Sequence, residues 1–88
     1  MKIKNGFVVK NVGDLNYVVA TGELTQSFNS MIRLNGTARF LWDLLAEPTD
    51  VDAMVAAMTQ KYDIDADTAR RDVEGFVEVL KSKGIIEE

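Results

Sequence analysis

Between Leu34 and Ala38 the hydrophobic repeat of this chain changes from two residues to 3.6, with Asn35-Gly36 at the changeover. Upstream, Phe28, Ser30, Ile32 and Leu34 alternate with Asn29, Met31 and Arg33, the two-faced pattern of a strand. Downstream, Ala38, Leu41, Trp42 and Leu45 fall at i, i+3, i+4 and i+7, one apolar stripe of a helix. Asn35 suits the junction because its side chain can accept from the free N–H groups of a first helical turn. A strand fed so directly into a helix is held rigidly against the helical layer, and its rim stays beside that layer.

The rest of the order follows outward from this point. Phe7-Val8-Val9-Lys10-Asn11-Val12 and Tyr17-Val18-Val19-Ala20-Thr21 are β-branched and aromatic-rich, and Gly13-Asp14-Leu15-Asn16 between them reads as a turn. They predict a hairpin. A connection over residues 22–26 leads to a third strand near residues 27–34, so the meander leaves its first and third strands as edges. Pro48 bars continuation of the first helix. Thr49 opens the second with Asp52 three residues on, an abbreviated capping box, and Val51, Met54, Val55, Met58 and Tyr62 form its stripe. Asp65 caps the third helix, whose stripe is Ala69, Val73, Phe76, Val77 and Leu80. Lys81 and Lys83 lie in its last turn, Gly84 stands at C′, and Ile85 and Ile86 return to the core. The predicted class is α+β, a three-stranded antiparallel meander followed by three helices. The last two helices, joined at Asp63-Ile64, suggest a winged helix-turn-helix-like layout in one domain, residues 1–88.

Composition removes much of chemistry. The 88 residues include no cysteine and no histidine, so there is no thiol nucleophile, no disulfide, and neither the commonest general base nor the commonest transition-metal ligand. Asp50, Asp52, Asp65, Asp67, Glu87 and Glu88 sit where caps and solvated faces need them. Asp63, Asp65 and Asp67 alternate like part of a calcium loop, but the Gly and the distal Glu are missing and Ala66 interrupts. No phosphate-cradling Gly-rich motif or serine elbow occurs. The expectation is a non-enzyme with no catalytic residues, metal or cofactor. A net charge of −4 argues against duplex nucleic acid as the main partner. No signal peptide and no membrane-length apolar run is visible, which points to a cytoplasmic chain without a membrane partner.

Several strings together resemble the PqqD-like family, the peptide-binding chaperones of ribosomal peptide modification: Leu34-Asn35, Leu41-Trp42, Tyr62-Asp63-Ile64-Asp65, Asp72-Val73-Glu74-Gly75-Phe76 and Gly84-Ile85-Ile86, with the opening residues 1–12 also similar. Where members often carry an acidic residue and Thr-Gly after Leu-Asn, this chain has Gly36-Thr37-Ala38. The resemblance implies recognition of a precursor peptide's leader segment, presented to a modifying enzyme such as a radical SAM protein. It also implies the mode: the leader adds as a strand to the third strand, beside a groove walled by the third helix.

On that reading the peptide-binding residues are Asn29, Ser30, Met31, Ile32 and Arg33 of the strand, with Arg70, Val73, Glu74, Val77 and Lys81 of the third helix. Met31 either adapts to guest side chains or simply packs. Arg33 either meets an acidic leader residue or is solvated. Val73 and Val77 are also members of the core stripe. The opposite flank of the third helix, with Asp72, Gly75, Val79 and Lys83, is the alternative groove wall, and Gly75 either admits a close backbone or is a tolerated helix glycine. Two other functions stay open. One is a winged-helix nucleic-acid-binding regulator using Arg70-Arg71. The other is an assembly domain that forms a homodimer through its sheet edge.

Overall fold

The computed structural model of the protein describes residues 1–21 and 32–87. Its elements in chain order are β1 (Lys2–Ile3), β2 (Phe7–Val12), β3 (Leu15–Ala20), β4 (Ile32–Leu34), α1 (Gly36–Leu44), α2 (Val51–Lys61), α3 (Ala66–Ser82) and β5 (Ile86–Glu87). The connection over residues 22–26, and residues 27–31 of the expected third strand, lie outside the described residues, as does Glu88.

β2, β3 and β4 form an antiparallel sheet in that order, followed by three helices. The architecture is α+β, as the period change predicts. The hairpin turn is tighter than the sequence suggests. Leu15 and Asn16 belong to β3, opposite Val12 and Asn11, leaving Gly13 and Asp14 as a two-residue loop. Gly13 takes φ +62°, the left-handed value that such a loop requires at its first position and that glycine adopts without strain.

Helix ends follow side-chain chemistry. Asn35 Oδ1 accepts from the Ala38 N–H at 2.8 Å, so the residue between strand and helix does cap α1. Asp65 Oδ1 likewise accepts from the Thr68 N–H at 2.7 Å and caps α3. The cap of α2 is Asp50, accepting from the Ala53 N–H at 2.8 Å, rather than Thr49. Thr49 is held otherwise: its N–H donates to the Met1 carbonyl at 2.9 Å and its carbonyl accepts from the Met1 nitrogen at 2.8 Å. Those bonds keep its backbone outside the helix and pass the capping position to the next residue.

α3 ends in a full Schellman arrangement. The Gly84 N–H donates to the Lys81 carbonyl and the Ile85 N–H to the Leu80 carbonyl, both at 3.0 Å, with Gly84 at φ +72°. The turn throws Ile85 and Ile86 into the core. It also creates a second, two-stranded sheet absent from the sequence reading: β5 pairs antiparallel with β1. β1 is stapled on both sides, since the Ile3 N–H donates to the Leu45 carbonyl and the Lys4 N–H to the Ile85 carbonyl.

The core lies between the inner face of the three-stranded sheet and the helices. Val18 and Leu34 of the sheet join Leu41, Trp42 and Leu45 of the α1 region, Met54, Val55 and Met58 of α2, and Ala69, Val73, Val77 and Leu80 of α3. Each fully buried aliphatic side chain contributes about 1.5–3 kcal/mol to the folded state. All three helical stripes expected from the sequence therefore face inward, with Val51, Tyr62 and Phe76 at the half-buried margin.

Candidate functional site

The sheet has two open rims among the described residues, β2 and β4. Which main-chain groups reach each rim follows from the hairpin. A two-residue loop makes Val12 and Leu15 a hydrogen-bonded pair, and the Thr21 N–H donating to the Gly6 carbonyl at 2.7 Å has the same parity. Leu15, Tyr17 and Val19 thus spend their main-chain groups on β2, while Asn16 and Val18 direct theirs at β4, where they face Leu34 and Ile32. Arg33, opposite Tyr17, turns its N–H and C=O the other way, toward the free rim.

Directly after Arg33 and Leu34 the chain enters α1, and the end of that junction forms one wall of a cleft. The cleft has a volume of about 270 Å³ and is lined by Asn35, Thr37, Ala38 and Leu41 on one side and by Asp72 and Phe76 of α3 on the other. Asn35 lines the cleft, and its cap on the Ala38 N–H fixes the first turn of α1 beside it. Phe76 is half-buried, the outermost member of the α3 stripe. Val79 is 44% exposed, and at seven residues from Asp72 it continues the same helical face. The combination is an open strand rim followed in the chain by a cleft of mixed lining, polar at Asn35, Thr37 and Asp72 and apolar at Ala38, Leu41 and Phe76.

The residues expected to bind peptide divide into three groups. Asn29, Ser30 and Met31 lie outside the described residues. Ile32 is half-buried with its main chain facing β3, and Arg33 is exposed with its main chain at the rim. On α3, Val73 is 0% and Val77 5% exposed, so both are core. Arg70, Glu74 and Lys81 are exposed on the opposite flank from the cleft. That flank turns to α2: an Arg70 guanidinium nitrogen donates to Asp52 Oδ1 at 2.8 Å, and the hydrogen bond and charge of Asp52 raise the Arg70 pKa. Asp72 and Phe76 line the cleft and are not among the peptide-binding residues expected from the sequence. Helical phase alone had placed Asp72 and Val79 on the alternative flank; the packing of α1 against α3 selects it.

Other chemistry is sparse. Among the described residues no group of three Asp or Glu side chains is placed to hold a metal ion, and no helix is long and apolar enough to cross a membrane. Asp65 has its pKa lowered from 3.8, chiefly by the hydrogen bond from the Thr68 N–H; this is a cap.

The fold is similar to the solved structure of TbiB1 in complex with the TbiA(beta) leader peptide, with a TM-score of 0.79, 25% identity, and coverage of 99% of this chain and 95% of that one. No curated protein sequence matches. The family model of coenzyme PQQ synthesis protein D (PqqD) matches residues 13–86. By that match, which takes in β3, β4, the cleft and all three helices, the chain belongs to the PqqD family.

Proposed function

We propose that this protein is a peptide-recognition domain: it captures an extended leader segment of a ribosomally made precursor as a fourth strand on β4 and presents it to a peptide-modifying enzyme. The domain itself performs no chemistry, acts in the cytoplasm, and serves an enzyme of radical SAM type. The observation that carries the reading is the Arg33 main chain, turned away from β3 two residues before Asn35, which lines the cleft between the β4–α1 junction and α3. Main-chain bonds from a guest strand supply affinity there, and the cleft supplies selectivity. The rigid junction lowers the ordering entropy that binding must offset. The likeness to TbiB1, whose structure holds a leader peptide, supports the class of guest.

The test uses peptides enriched from a random display library on the purified chain. Arg33→Pro removes the outward N–H while Ile32 and Leu34 keep the ladder to β3, a position where an edge strand tolerates proline. A guest carbonyl left unpaired weakens binding by about 1–3 kcal/mol, roughly 5- to 150-fold. Arg33→Ala separates the side chain's share, and Asn11→Pro places the same lesion on the outer rim of β2. The expected result is a folded Arg33→Pro variant that has lost binding and an Asn11→Pro variant that has kept it. Folded Arg33→Pro protein binding like the parent contradicts strand addition on β4.

A further inference from the structure

Which peptides fit depends on the chemistry of the cleft. Asp72 and Phe76 stand four residues apart on α3, and both line the cleft. The Asp72 carboxylate accepts no hydrogen bond and pairs with no cation among the described residues. Four other acidic residues have structural partners: Asp50 and Asp65 cap helices, Asp43 pairs with Arg39, and Asp52 pairs with Arg70. Asp72 instead lines a space shared with the half-buried Phe76, with Ala38 and Leu41, and with the polar Asn35 and Thr37.

The spacing of the two side chains matches the repeat of an extended chain. Four helical residues rise about 6 Å along the axis, and two strand residues advance about 6.7 Å. A strand lying alongside α3 therefore sets two alternate side chains, both on one face, opposite Asp72 and Phe76.

We infer that the cleft selects guest segments carrying an apolar side chain and a lysine or arginine two residues apart. The apolar residue lies on Phe76, Ala38 and Leu41, and the cation meets Asp72. This rests on the strand-addition reading and adds the chemical class of its guest. The order of the two residues reports the direction of the guest strand, because reversing the strand exchanges their places.

The experiment is the same display selection, run in parallel on the parent, Asp72→Asn and Asp72→Lys. Position 72 is exposed, so both variants are expected to fold, and circular dichroism checks that they do. The parent should enrich an apolar-x-basic or basic-x-apolar triplet. A triplet peptide should bind Asp72→Asn about fivefold more weakly, as for one partly exposed ion pair, and the loss should shrink at high salt. Asp72→Lys should enrich acidic residues at the basic position. Peptides that depend on the Arg33 main chain but show no basic preference, or none that changes with residue 72, overturn the triplet while strand addition stands. Failure to enrich any peptide sensitive to Arg33→Pro overturns both.

Discussion

Gly75→Ala separates what α3 needs to fold from what the groove needs to bind. Gly75 is exposed in the interior of a 17-residue helix, and a Cβ built on it meets nothing within 4 Å. No packing is lost or gained, so the effect is the intrinsic helical preference of alanine, about 1 kcal/mol. At about 2.1 cal/mol/K per residue, the unfolding entropy of an 88-residue chain is roughly 185 cal/mol/K, and 1 kcal/mol raises Tm by about 5 °C. Thermal melts followed by far-UV circular dichroism, backed by urea titration, read this directly. An unchanged or lowered Tm refutes the reasoning, because it means that the helix interior at residue 75 is not free to accept a methyl group. The variant also bears on the guest. Gly75 is not among the cleft lining, so the selected peptides should lose less than about threefold in affinity, within the scatter of surface substitutions. A loss above tenfold would place the guest backbone over Gly75 and move the binding path around the helix.

Two further outcomes follow from the same helix. Gly84→Ala meets no steric obstacle either, but it forces alanine into φ +72° and should destabilise the fold by about 1–2 kcal/mol, so equal urea midpoints for parent and variant would contradict the Schellman cap. The Asp65 carboxylate is depressed below 3.8 by the Thr68 N–H, and a depressed carboxylate contributes stability that is present above its unfolded pKa and lost as pH falls through the folded one. Asp65→Asn keeps the acceptor without titrating, so the parent should lose ground relative to the variant as pH falls from neutral through the carboxylate range; a stability gap that stays constant across that fall contradicts the assignment.

Much of the fold was legible because its signals are local. The strand-to-helix change at Asn35, the Asp65 cap, the Gly84 stop and all three apolar stripes depend on residues within a turn or two of one another. What escaped depends on distant pairing. The β1–β5 sheet is only two residues long on each strand, and it exists because residues 1–4 wedge between the Leu45 and Ile85 carbonyls, a contact with no sequence period. The same wedge takes Thr49 and moves the α2 cap to Asp50. The site was half legible for the same reason. An edge strand beside a helix could be read from the order of elements, and Arg33 with it. The helical repeat offered two flanks of α3, and only the packing of α1 and α2 shows that Arg70 faces Asp52 while Asp72 and Phe76 face the cleft.

Amide hydrogen exchange at Arg33, with and without a bound selected peptide, tests strand addition most directly. In the free protein its N–H points to the open rim, whereas those of Ile32 and Leu34 face β3. Strand addition on β4 predicts strong protection of the Arg33 amide on binding, with little change at Asn11 on the far rim. An Arg33 amide that exchanges equally fast in both states, or protection arising at Asn11 instead, would contradict it.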